Sequence, residues 1–255
     1  MKKLAIVLLV FTTILTATAS IQVEPAVFEL FLNDEERITE AIRVTNFSQL
    51  PLTISVSAYD WYISESGEFA EARLGSLDST LQGHLSFNPR QFALLPGQTQ
   101  IVRVTIDMPS EPPLQRRSVI FFSTEQTSYT GQIQTVIQTV VGATLYVTNR
   151  RAKPSFTVHG LDYIWSDSNL VLNVITENTG DIHFRTSITY DIYDLGGQLL
   201  YSDAFSNIVI LPGQKHTYSL PVKAAIVPGL YKVVGKITNT TTQNVVPFSY
   251  EIAVN

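Results

Sequence analysis

Apolar side chains recur at every second position along most of this chain, and almost nowhere at the 3.6-residue spacing of an amphipathic helix. The stretches AIRVTN (41–46), LTISVSAYDW (52–61), QIVRVTIDM (100–108), SVIFFST (118–124) and IQTVIQTVVGATLYVT (133–148) are rich in β-branched and aromatic residues. Turn formers separate them, among them Ser48, Pro51, Pro96-Gly97, Pro109, Pro112-Pro113 and Gly131. Each reads as a strand. Only 69–78 leaves room for a turn or two of helix, so the sequence predicts an all-β chain.

The polar segment Arg150-Arg151-Ala152-Lys153-Pro154 divides two strand-rich halves, and its composition and terminal proline suit a linker. Beyond it come FTVHGLDYIW, NLVLNVITEN, RTSITYDIYD, LYSDAFSNIVI, TYSLPV, GLYKVVGKIT and VPFSYEIAV. Short strands at this spacing predict a β-sandwich of immunoglobulin type. The expected organisation is a first domain over 20–149, a linker over 150–154 and a second domain over 155–255.

A repeat supports the tandem reading. FALLPGQTQIVRVTI (92–106) is echoed by IVILPGQKHTYSLPV (208–222), and in each half an earlier strand ends on an asparagine, Asn46 or Asn178. Proline sets φ for the first central position of a tight turn, and glycine supplies the positive φ at the next. The two copies therefore mark equivalent turns in two immunoglobulin-like sandwiches, the first enlarged by an insertion over 62–85.

The first residues, MKKLAIVLLVFTTILTATAS, show two lysines, an apolar run and then small residues. This is the layout of a cleaved secretory signal peptide, with the cut expected after Ala19. No later run is apolar for long enough to span a bilayer, so no stable membrane insertion is expected after cleavage. The chain has no cysteine; an exported protein of this kind has to be held by its hydrophobic cores. Without Lys2 and Lys3, 15 basic side chains face 22 acidic ones, a formal charge of −7. Nucleic acid needs a basic stripe, and the densest basic cluster is only Arg150, Arg151 and Lys153.

Candidate chemistry is sparse. His84, His159, His183 and His216 lie far apart in sequence, none with a second histidine at metal-ligand spacing. Neither Asn33-Asp34-Glu35-Glu36 nor Asp191 with Asp194 matches a calcium loop. No nucleophile elbow or phosphate-cradling glycine loop occurs, so neither an enzyme nor a cofactor is expected. The strand at 133–148 stands out, because five or six residues is usual in a sandwich. One face carries Ile133, Thr135, Ile137, Thr139, Val141, Ala143, Leu145 and Val147. Polar and apolar residues alternate in its first half while the second is more uniformly apolar, as if only the second were covered on both faces. A protruding strand of this kind is an edge that can pair with another chain.

The first half resembles the PapD-like periplasmic pilus-assembly chaperones. The resemblance rests on the Val-Thr-Asn strand end followed by Leu-Pro, the tryptophan closing the next strand, and Asn-Pro-Arg-Gln-Phe running into Leu-Pro-Gly-Gln-Thr-Gln-Ile-Val-Arg-Val. A Ser-Val-Ile-Phe-Phe strand and the long strand after it complete the set. It covers about residues 21–149, and the insertion after Tyr59-Asp60-Trp61 is nearest the alternative or archaic branch. The resemblance implies a periplasmic, non-enzymatic two-domain chaperone that lends an edge strand to a pilus subunit and passes it to an outer-membrane usher. By position the lending strand is the first half of 133–148, with Ile133, Thr135, Ile137, Thr139 and Val141 on the inserting face. Family members hold the subunit's terminal carboxylate with an arginine and a lysine; aligned without gaps, those positions are Leu30 and Thr144, which carry no charge. Arg150, Arg151 and Lys153 are then the candidate cleft cations. The second reading is a cell-surface structural or adhesive protein of the same fold without chaperone activity.

Overall fold

The computed structural model describes residues 21–64, 67–130, 133–166 and 169–254, with backbone alone at 126–130, 133–135 and 207. The expected signal peptide lies outside the described residues. Among the described residues every regular element is a strand.

In the first half these are β1 (Ile21–Glu24), β2 (Val27–Leu32), β3 (Arg37–Asn46), β4 (Leu52–Ile63), β5 (Phe69–Arg73), β6 (Leu85–Asn88), β7 (Gln91–Leu94), β8 (Thr99–Asp107), β9 (Gln115–Thr130) and β10 (Ile133–Asn149). The second half holds β11 (Phe156–Ser166), β12 (Asn169–Asn178), β13 (Phe184–Asp194), β14 (Leu199–Ile210), β15 (Lys215–Val222), β16 (Gly229–Asn239) and β17 (Val245–Val254). The first half forms a sandwich of the sheets β1-β3-β8-β6 and β2-β10-β9-β4-β5, with β7 added to β4. The second half forms another, of β11-β12-β15 and β14-β13-β16-β17. Alternation decides the inner faces. Ile42, Val44, Ile54, Val102, Val104, Ile120, Phe122 and Leu145 fill one core, and Leu172, Val174, Ile188, Ile192, Val233 and Ile237 the other.

Two sequence expectations change. Residues 69–73 form strand β5, paired with β4 from Tyr59↔Arg73 to Ile63↔Phe69, in place of a helical turn. The expected strand at 118–124 extends to 115–130 as β9, because its polar continuation pairs with β10 along the whole hairpin.

The insertion is organised by a buried carboxylate. Asp60 Oδ2 accepts the backbone N–H groups of Gly75, Ser76 and Leu77, and Oδ1 accepts the Thr80 hydroxyl at 2.7 Å. Leu81 then anchors the loop in the core.

The repeated Leu-Pro-Gly-Gln adopts one arrangement twice. In the first copy Gln98 N donates to Leu95 O, and the Gln98 side-chain oxygen accepts Leu95 N–H. In the second, Gln214 and Leu211 make the same two bonds. The central glycines have φ of 75° at Gly97 and 78° at Gly213, a conformation in which a Cβ is strained. Each turn docks on the fully buried asparagine that ends the earlier strand. Asn46 N donates to Gln98 O and Asn46 O accepts Gly97 N–H; Asn178 is bonded likewise to Gln214 and Gly213. The asparagine amides reach on to Leu50 O and Leu94 O in one sandwich and to Ile182 O and Ile210 O in the other, at 2.9–3.0 Å.

Replacing Asn178 strands the Ile182 and Ile210 carbonyls inside the protein, and replacing Asn46 strands that of Leu94, while the Leu50 carbonyl keeps the Ser48 hydroxyl. Asn46→Ala and Asn178→Ala are each expected to cost about 3 kcal/mol, read as a lower urea midpoint with an unchanged slope; a loss below about 0.5 kcal/mol contradicts the assigned role. Asp60→Ala is expected to speed hydrogen exchange at the Gly75, Ser76 and Leu77 amides by about tenfold or more, while Ile54 and Val102 amides in the core keep their protection.

Candidate functional site

Two features built on the β10 strand carry what recognition chemistry the fold offers. The first is its free edge. Strand β2 pairs with β10 in parallel, but only over Val27–Leu32 against Thr144–Asn149. On the other side, the ladder of β4 on β9 ends at Ser55↔Ser123. From Thr124↔Thr139 to Thr130↔Ile133 the two strands therefore pair only with each other among the described residues. The result is a two-stranded ribbon about 20 Å long at ~3.3 Å per residue.

The inserting face named from sequence follows this geometry outward. Leu145 and Ala143 are fully buried, Val141 is half-buried against the same core, Thr139 is half-buried, and Ile137 is 55% exposed. The side chains of Ile133 and Thr135 lie outside the described residues. On the opposite face Val136 and Val140 are 53% and 49% exposed. Gly142 keeps the base of the ribbon flat: a Cβ there would come within 3.0 Å of Phe121 and 3.1 Å of Val119.

The second feature is the junction between the sandwiches, built on the outer face of the larger first sheet. Trp61, Val119 and Tyr146 pack there against Leu211 of the second sandwich. Tyr146 meets Trp61 edge-on at 5.4 Å and stacks on the His183 ring at 3.9 Å. Arg117 lies over Trp61, donates to its carbonyl at 3.1 Å, and borders a cavity of about 570 Å³ with Leu77, Pro113, Asp181 and Pro212. Arg185 reaches across to Glu29 Oε1 at 3.3 Å and lies over the Tyr146 ring. The side-chain nitrogen of Gln214, in the second Leu-Pro-Gly-Gln copy, donates to Ile63 O.

Burial alone would push the Glu29 carboxyl up, but His183, Thr241 and Arg185 outweigh it and hold the group at about 2. Glu29 therefore stays ionised at neutral pH. Burial pushes the Tyr146 hydroxyl up to about 12, so it stays protonated. Arginines laid over aromatic rings beside one fixed carboxylate can bind anionic or planar groups.

Leu30, the aligned position for a basic anchor, points into the core with Phe28 and Leu32. The junction-facing residue of β2 is its neighbour Glu29, and Thr144 shares the outward face with Tyr146. Arg151 is committed to Asp34 at 2.8 Å and to the Ser110 carbonyl, the Lys153 backbone pairs with Asp181, and Arg150 is exposed. None of these three lines the cavity beside Arg117 or the smaller one between Ile63 and His216. The cations that do face the junction, Arg117 and Arg185, were not singled out from sequence. One signal was available: each is the single basic residue on the outward face of its strand.

No protein-family model matches the sequence, and no curated protein does. Solved structures do. A chain from the chaperone–tip adhesin complex of CFA/I fimbriae biogenesis is 15% identical, with a TM-score of 0.53, over 93% of this chain and 100% of that one. The class 5 fimbriae chaperone CfaA is 13% identical, with a TM-score of 0.53, over 92% and 100%. A chain from the chaperone–tip adhesion subunit pre-assembly complex of the archaic chaperone-usher Csu pili of Acinetobacter baumannii is 9% identical, with a TM-score of 0.50, over 90% and 98%. At such identities the likeness speaks to fold, and the fold of this chain, across both halves, is that of the PapD-like fimbrial chaperones.

Proposed function

We propose that this protein is an exported, non-enzymatic chaperone of pilus or surface subunits that holds its client by lending the free edge of β10. One observation carries the reading: the outer edge of β10 from 133 to 143 has no strand beside it among the described residues, while its inward face runs from the core out to exposed Ile137. An incomplete β-sandwich that lacks a strand exposes main-chain donors, acceptors and an apolar groove, and an added strand satisfies both. Ile133, Ile137 and Val141 are the side chains offered to that groove, with Thr135 and Thr139 between them. The threonines reduce the apolar area each client buries.

The proposal places the protein in the periplasm after removal of the signal peptide, with an outer-membrane usher as the destination of its client. Arg117 is the arginine best placed to meet a client carboxylate, since its guanidinium borders an open cavity between the sandwiches. Arg150, Arg151 and Lys153 lie at the linker, where Arg151 already has a carboxylate partner. The absence of charge at Leu30 and Thr144 favours the second reading, a surface structural protein that holds no client.

The experiment that separates the two is co-purification from periplasmic extracts. Wild-type protein is expected to bring down a subunit, and Ile133→Asp/Ile137→Asp to lose it, because each aspartate would be buried unpaired in an apolar groove at a cost of several kcal/mol. Recovery unchanged in the double variant overturns strand lending, and a wild-type protein that is exported but captures no subunit supports the structural reading.

A further inference from the structure

His183 is the most enclosed titratable side chain at the junction, at 1% exposure, and strand lending makes no use of it. Its surroundings dictate its protonation state. The His183 backbone N–H donates to Gln115 Oε1 at 2.8 Å, which fixes that end of the amide as the acceptor. The other end, Gln115 Nε2, donates to the Thr148 hydroxyl at 2.7 Å. Its second hydrogen faces His183 Nδ1, which lies 3.0 Å from Nε2 and 3.2 Å from the already engaged Oε1. The closer approach of Gln115 Nε2 makes Nδ1 an acceptor, leaves the proton on His183 Nε2, 3.5 Å from Glu29 Oε1, and keeps the imidazole neutral. A second proton would set an N–H against the Gln115 NH₂ group at 3.0 Å and leave it only the longer approach to Oε1 at 3.2 Å, and turning the amide over would break the bond from the His183 backbone.

The charges facing the ring do not compensate. Glu29 on β2 lies 3.5 Å from Nε2 and shares its carboxylate with Arg185 on β13, which adds a positive charge; Arg117 on β9 adds a second; Tyr146 on β10 stacks on the ring. From β16, the Asn239 side-chain nitrogen donates to the His183 carbonyl.

We propose that Gln115 and His183 form a latch between the two sandwiches that is closed only while His183 is neutral, so that mild acidification loosens the junction. Burial, opposed by Glu29 and reinforced by Arg185 and Arg117, holds the imidazole below its ordinary 6.5. The opened or unfolded chain takes up a proton near 6.5, whereas the closed junction does so only at lower pH. The stabilisation is therefore present above 6.5 and is lost as pH falls from 6.5 toward the folded value.

Hydrogen exchange at the His183 amide tests this. Its protection factor is expected to fall about tenfold per pH unit below the ordinary histidine range, the slope for uptake of one proton, while the Val174 amide in the core keeps its own. In Gln115→Glu a carboxylate faces Nδ1 and can accept from the protonated ring, so protection is expected to rise on acidification between about pH 7.5 and 5.5. His183→Phe keeps the ring stack but should abolish the pH dependence. Constant protection in the wild type, or the same pH dependence in His183→Phe, overturns the latch. A titration of the His183 C2 proton in the wild-type protein decides the matter without any variant: a midpoint at or above 6.5 refutes it.

Discussion

A buried asparagine under a Leu-Pro-Gly-Gln turn is the arrangement on which each sandwich depends. A chain without cysteine has no covalent means of closing its strand ends, and every reversal that enters the interior brings unpaired N–H and C=O groups with it. Asn46 and Asn178 resolve this at one position each. A primary amide has two donors and two acceptor lone pairs, enough to tie three chain segments together where they converge. The glycine supplies the positive φ, the glutamine closes the turn on itself, and the hydrophobic faces of the following strands are thereby set in register with their partners.

The second copy has an additional task. Its leucine, Leu211, is buried against Trp61 and Tyr146, and its glutamine, Gln214, donates to the Ile63 carbonyl. The equivalent Leu95 and Gln98 at the outer end of the first sandwich face solvent or their own turn. One motif thus serves as an internal brace in one half and as a contact between halves in the other. Around it the junction is largely aromatic and polar, with Glu29, Arg185, Gln115 and His183 replacing the aliphatic packing of the two cores. Polar junctions are specific in angle, because each group has few partners that satisfy it, and they are sensitive to any change in charge.

How much of this the sequence disclosed depends on range. Alternation of β-branched and apolar residues is local, and it gave the inner strands of both sandwiches to within a few residues. Pro-Gly after an asparagine-ended strand is equally local, and it gave the shared turn. Strand β5 and the polar end of β9 were hidden because partners hold them: Phe69 stacks on Trp61, and residues 124–130 pair with 133–139. The junction was hidden for a stronger reason. Glu29 meets His183 and Arg185 across about 150 residues of chain, and no periodicity encodes such a meeting. The face of β2 was nevertheless readable, since Phe28, Leu30 and Leu32 alternate about Glu29. A gap-free alignment put the expected charge at Leu30, whereas the pleat puts the outward position one residue away.

Thr135 and Thr139, alternate residues of the proposed lending strand, bear on time as well as on area. A strand that pairs with β10 gains a ladder of main-chain hydrogen bonds whatever its sequence, but each threonine in place of a large aliphatic residue removes a side chain that would have to be pulled out of a groove on release. Affinity differences among related complexes lie mostly in dissociation. Under the proposed strand lending, an edge of this composition would favour short residence: it would shield an incomplete partner, discriminate little among partner sequences, and surrender each readily to a strand that fits better.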